Sequence, residues 1–317
     1  MAVGATRRAE LILDARNVTG ECPVWLAREQ SLYWVDIPEK KLYCYNTANG
    51  QTRHWTAPEM LACLAPGSRA NTWIAGAETG LFSLDTSDSS TLGFAPVAQV
   101  KHAMPGMRFN DGRCDRQGRF LAGTMATDMR LGATTGCIYA LDCDGTVTPL
   151  LDGFITPNGM AFSPDGRTMY LSDSHPSVRM VWAYDYDGER GRPSNPRAFV
   201  DMADFAGRPD GAAMDTEGCY WICGNDAGLV HRYTPQGQLD FSVALPVSKP
   251  SMCAFGGADL RTLYITSIRP QGSLDADVDG GLFAIQFATL QGMAESVCGY
   301  RPQTHFQNNE ETPCTTP

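Results

Sequence analysis

The chain has 317 residues, 43% apolar and 19% charged, which supplies enough apolar side chain for a large buried core. Its net charge of −10, from 35 acidic and 25 basic residues, argues against a nucleic-acid partner, whose phosphate backbone would need a basic face. No apolar run approaches the ~20 residues of a membrane span and no signal-peptide pattern opens the chain, so a cytoplasmic protein with no membrane partner is expected.

The first β-prone segment is "ELILDARN" (10–17), which precedes a series of related units. The first unit opens at Glu21 with "ECPVW", and a second opens near Leu61 with "LACLAP". The third, "NDGRCDRQGRFLAGTMA", begins at Asn110 and is the first with strong turn chemistry. The fourth, "NGMAFSPDGRTMYLSDS", and the fifth, "DGAAMDTEGCYWICGND", begin at Asn158 and Asp210; a sixth opens near Ser251. In units three to five a glycine follows the opening residue by eight places, at Gly118, Gly166 and Gly218. Each glycine ends a polar turn between two strand-like runs, the pattern of a hairpin.

Six units at a spacing of about 40–50 residues, with no sustained helical periodicity, predict an all-β, six-bladed β-propeller with four-stranded antiparallel blades. The N-terminal strand is expected to close the last blade as its outer strand, removing an exposed edge. No linker-like change of composition divides the chain, so we read 1–317 as one domain, with the propeller over about 9–290 and an irregular tail over 301–317. A closed ring has no obligatory free edge, which favours a monomer. The eleven cysteines form no tight pairs, and Cys219 and Cys223 of "CYWIC" fall on one face of a strand, as buried thiols would. Trp25, Trp34, Trp182 and Trp221 fall at strand positions and read as packing between blades.

The residue that opens each innermost strand can face the channel mouth. Around the ring that position holds Glu21, a small or apolar residue near Cys63, then Asn110, Asn158, Asp210, and Ser251 or Met252. Four oxygen-bearing side chains from four blades suit one divalent cation, with Glu21, Asn158 and Asp210 as its ligands and water completing the shell. Such donors accept Ca²⁺, Mg²⁺ or Mn²⁺, and Zn²⁺ and Fe²⁺ also take carboxylates. The bland reading is that Asn and Asp only cap the turns entering these strands. No GxSxG elbow and no HExxH motif competes for the chemistry.

The segments "GECPVW", "RFNDGR…GRFLAGTM", "TPNGMAFSPDGRTMYLSDS" and "RPDGAAMD", in this order and spacing, resemble the SMP-30/gluconolactonase/LRE-like family of regucalcin-like proteins and sugar lactonases. The resemblance covers roughly residues 9–290. It implies metal-dependent hydrolysis of an aldonolactone, such as a glucono-, xylono-, arabinono- or galactonolactone, to the open-chain acid. It assigns the same three residues to the metal and makes Arg108 and Asn110 of "RFND" the substrate-binding pair. Asp128 in "TMATDM" is the nearest match to a further acidic substrate contact, in a loop that departs from the family's pattern. Asp210 is the first choice for general base, with Glu21 the other candidate. The loop 269–281 is expected at the rim. The alternative activities are a metal-dependent aryl-ester or organophosphate hydrolase, or a non-catalytic calcium-binding propeller.

Overall fold

The turns that mark the repeat are built on a carboxylate and a glycine. Asp115 Oδ1 accepts from the backbone N–H groups of Gln117 and Arg119, both at 2.9 Å, and Asp215 Oδ1 accepts from those of Glu217 and Cys219 at 3.0 and 2.9 Å. Gly118, Gly166 and Gly218 have φ of 89°, 68° and 79°, the left-handed region that a side chain disfavours. With the turns fixed in this way, the strands on either side have one register.

A computed structural model describes residues 7–274 and 277–301, and in these the repeats form six antiparallel sheets arranged as a six-bladed propeller. The innermost strands are Gly20–Leu26, Leu61–Pro66, Met107–Cys114, Pro157–Phe162, Arg208–Met214 and Pro250–Gly256, opening blades 1 to 6. Each touches its neighbours in order and the sixth touches the first, so the ring is closed. Helical structure among the described residues is confined to three short 3₁₀ turns. No helix among them is long and apolar enough to cross a membrane.

Closure follows the expectation from sequence. Glu10–Leu13 is the outer strand of blade 6, antiparallel to Leu282–Gln286, with Glu10 opposite Ala284. The two residues before Ala9 add something the sequence did not announce. Arg7–Arg8 lies parallel to the outer strand of blade 5, with Arg7 opposite Val243 and its guanidinium 3.6 Å from the Phe241 ring centroid. One short segment thus pins blade 5 to blade 6.

The blades are joined by aromatic contacts. Trp25 of blade 1 stacks on Tyr264 of blade 6, and Tyr33 meets Trp73 of blade 2 at 4.4 Å between centroids. Trp182 meets Phe154 of blade 3, Tyr170 stacks on Tyr220, and Trp221 meets Phe255 of blade 6 edge-on at 5.4 Å. Trp34 is fully buried in the cluster between blades 1 and 6, stacked on Tyr43. The cysteines among the described residues are free, and most are buried, Cys219 and Cys223 included.

Beyond residue 290 the described chain continues as a strap under the propeller, at the end opposite the strand openings. Met293 N–H donates to Met214 O, Cys298 N–H to Pro66 O and Gly299 N–H to Gly118 O. Midway, Glu295 reaches the axis and pairs with Arg113 at 3.1 Å. The strap lies between the propeller core expected over about 9–290 and the tail expected over 301–317. Residues 302–317 of the expected tail, and residues 275–276 of the rim loop, lie outside the described residues.

Candidate metal and substrate site

All six innermost strands share a local irregularity. The pairing with the second strand slips between Glu21 and Val24, Leu61 and Cys63, Phe109 and Gly112, Asn158 and Ala161, Pro209 and Ala212, and Pro250 and Cys253. A bulge of this kind re-aims side chains that a regular strand would send into the sheet. In blades 1 and 4 the predicted residue borders the slip, and in blades 3 and 5 it lies inside it. The residue after Glu21, Cys22, has φ of 49°, a costly conformation for a non-glycine residue.

These residues meet. Asn158 Nδ2 donates to Asp210 Oδ1 at 2.5 Å, while Asn158 Oδ1 accepts from Gly159 N–H at 3.0 Å. Burial, with the charges of Asp210 and Asp111, pushes the Glu21 carboxyl well above the usual range, and Arg108 opposes this. Burial also pushes Asp210 up to about 6, against the pull of Arg208 and of the Asn225 and Asn158 amides. Arg108 donates through Nη1 to Phe109 O at 2.7 Å and to Asn110 Oδ1 at 2.9 Å; Asn110 Nδ2 donates to Pro157 O at 3.1 Å. Burial lowers the Arg108 pKa, and Glu21, Cys63 and Asp210 counter it.

Asp128 is placed differently. It caps the rim turn Met129–Leu131, accepting from Arg130 N–H at 3.1 Å, and forms an ion pair with Arg130 at 2.8 Å. Among the described residues no hydrogen bond links it to Arg108 or Asn110. Three other residues belong to this region and were not singled out from sequence. Asn225 Nδ2 donates to Asp210 Oδ2 at 2.5 Å, Arg208 Nη2 reaches Asn225 Oδ1 at 3.3 Å, and Asp111 is buried with Oδ1 lacking a hydrogen-bond partner. One signal pointed to Arg208: it precedes Asp210 by two residues, as Arg108 precedes Asn110.

The donor chemistry fits a hard divalent cation. Asp210 and Asp111 raise the Glu21 pKa, Asp111 also raises that of Asp210, and a buried Asp111 oxygen has no hydrogen-bond partner, so positive charge there is favoured. No cluster of three His, Cys, Asp or Glu that could hold a metal ion lies among the described residues.

The backbone around Asn158 is tightly held. Gly159 has φ of 61°, and a Cβ there would lie 2.6 Å from Tyr220 Oη and 2.8 Å from Ser172 Oγ. Tyr220 Oη donates to Gly159 O at 2.7 Å. Gly159→Ala is expected to lower stability by about 2 kcal/mol, measured by urea unfolding. A wild-type urea midpoint would show that this approach is not close.

The SMP-30/Gluconolactonase/LRE-like region model matches residues 19–269. The chain is 38% identical to 6-deoxy-6-sulfogluconolactonase of Pseudomonas putida, covering 88% of this chain and 94% of that one. It is 34% identical to L-arabinolactonase of Azospirillum brasilense, covering 88% and 92%. Among solved structures, the calcium-binding protein regucalcin of Agrobacterium tumefaciens superimposes with a TM-score of 0.84 at 28% identity, over 94% of this chain and 99% of that one. The match over residues 19–269 and the relatives at 34–38% identity over most of both chains decide it: the chain belongs to the SMP-30/gluconolactonase/LRE-like family.

Proposed function

We propose that the protein hydrolyses an aldonolactone to the open-chain aldonic acid, at a site where Glu21, Asn158 and Asp210 hold one divalent cation. The observation that carries this reading is the meeting of Asn158 and Asp210 at 2.5 Å beside the half-buried Glu21 and the buried Asp111, carboxyls whose charges disfavour each other. The relatives named as lactonases support it, and the relative named as calcium-binding supports the cation. The net charge of −10 favours a small-molecule partner over a polyanion.

When bound, a divalent cation at this set supplies positive charge that polarises a carbonyl oxygen. The protein's own groups do the rest. Arg108, half-enclosed and already donating to Asn110, presents a planar fork to ring or hydroxyl oxygens. Asn110 holds that fork in place and offers its amide to a hydroxyl. Asp128, on the rim, is assigned a further hydroxyl. Water adds to the lactone carbonyl carbon as its proton passes to a carboxylate oxygen of Asp210. The ring C–O ester bond then breaks, and the departing alkoxide takes the proton back. Burial raises the Asp210 pKa to about 6 before a cation binds, which leaves the carboxyl mostly ionised at neutral pH. Glu21 is the alternative base.

The test is acid release from a panel of aldonolactones by protein first stripped with chelator, with Ca²⁺, Mg²⁺, Mn²⁺, Zn²⁺ or Fe²⁺ then added back singly. Hydrolysis that returns with a cation is the expected result; full activity in chelator, or no hydrolysis of any aldonolactone, sinks the proposal. Arg108→Ala should raise KM for aldonolactones about tenfold or more, since charge-assisted hydrogen bonds contribute on the order of 1.5–3 kcal/mol, while KM for an aryl ester stays unchanged.

A further inference from the structure

We infer that Asn225 and Arg208 are positioning residues that fix the Asp210 carboxylate for the cation, an inference that rests on the site reading above. Asp210 has two oxygens, and the protein treats them differently. Oδ1 faces Asn158, itself assigned to the cation, whereas Oδ2 is held at 2.5 Å by Asn225, which lies outside the ligand set. Asn225 ends the second strand of blade 5 directly opposite Arg208 and is fully buried.

An amide can face either way, and here its direction is fixed. Arg208 Nη2 donates to Asn225 Oδ1 at 3.3 Å, so the Asn225 NH₂ must turn to Asp210. Arg208 is fixed in turn: Nε donates to Asp226 Oδ2 at 2.8 Å and Nη1 to Ser174 Oγ of blade 4 at 3.1 Å. Lys249, at the entry to blade 6, pairs with the other oxygen of Asp226. Asp226 itself has φ of 77°, a strained backbone for a non-glycine residue, and the Arg208 and Lys249 contacts hold its side chain there. The chain Lys249–Asp226–Arg208–Asn225–Asp210, with Ser174 bracing Arg208, therefore draws on three blades to aim one carboxylate. A ligand aimed in advance loses less freedom when the cation binds, which is how outer partners raise metal affinity.

Asn225→Leu removes the donor at similar size, and Arg208→Lys keeps the charge beside Asp210 but has one nitrogen where the guanidinium reaches its partners through three. Titration calorimetry with Ca²⁺ alone, and separately with Mn²⁺, should show Kd rising about tenfold in each variant. At saturating cation, kcat for the aldonolactone should fall by about tenfold while KM stays within about twofold, because substrate is gripped from blade 3. A purely structural role would instead lower the unfolding temperature in chelator and leave Kd and kcat at wild-type values, and that result overturns the inference. If Asn225→Leu does not fold, Arg208→Lys carries the test alone. Weak binding in Asn225→Leu with normal binding in Arg208→Lys supports Asn225 and removes Arg208 from the assignment. If the wild type binds neither cation, the site reading fails first and this inference with it; if the wild type binds and both variants match it, only this inference fails.

Discussion

Asp210→Asn is expected to abolish cation binding, cut aldonolactone hydrolysis about a thousandfold, and change how the fold responds to pH. The first two effects follow from removing a ligand charge and the assigned base together. The third follows from burial. In the folded chain the Asp210 pKa rises from 3.8 to about 6, so the folded state holds a proton that the unfolded state has released. The stability that this proton gives is fully present below about pH 3.8 and is lost as pH rises through 6. A shift of that size corresponds to about 3 kcal/mol. In chelator, the stability of wild type relative to Asp210→Asn should therefore fall by about 3 kcal/mol between roughly pH 4 and pH 8. Adding a divalent cation reverses the trend, because the cation competes with the proton and binds better as pH rises. Urea unfolding of both proteins at several pH values, with chelator or with cation, measures both slopes. Parallel stability curves in chelator would show that the Asp210 carboxyl is not perturbed.

The propeller was legible because its turns are written in side chains. The carboxylates of Asp115 and Asp215 and the glycines at 118, 166 and 218 each determine a local geometry, so alignment of three segments located the hairpins. The candidate site came from the same alignment: Glu21, Asn110, Asn158 and Asp210 line up in sequence, although strand pairing sets Asn110 and Asp210 one residue further into the slip than Glu21 and Asn158. What stayed hidden depends on register. Asn225 lies opposite Arg208 only once the strands are paired, and nothing in "CGND" distinguishes it from an ordinary turn entry. The bulges at all six strand openings leave no sequence mark either, since they are filled variously by Cys-Pro, Asn-Asp, Gly-Met and Asp-Gly. The strap and the Arg7–Arg8 pairing are held largely by backbone hydrogen bonds, which any sequence can make.

Arg113→Met is expected to destabilise the protein by about 3–5 kcal/mol, the cost of leaving buried charge without its partner. Arg113 points into the axis of the propeller with its side chain 10% exposed, between Glu295 of the strap and Asp111 below the site. Its Nη2 donates to Ala212 O at 2.7 Å, linking blade 3 to blade 5. Burial raises the Asp111 carboxyl pKa and the Arg113 charge is the first influence opposing it. Without Arg113, the carboxyls of Asp111 and the partly buried Glu295 lose the charge between them, and Asp111 keeps only backbone N–H partners, Met160 at 2.8 Å among them. Glu295→Leu should cost less, about 2 kcal/mol, because Arg113 then still has Asp111 and Ala212 O. The two substitutions share a partner, so the double variant should be less unstable than the sum of the two. Hydrogen exchange separates strap release from global loss. In Glu295→Leu the amides of Cys298 and Gly299, bonded to Pro66 O and Gly118 O, should exchange faster while those of the inner strands keep their protection. Arg113→Met within about 1 kcal/mol of wild type would mean that the axial charges are solvated rather than buried, and that the strap closes the channel without an electrostatic anchor.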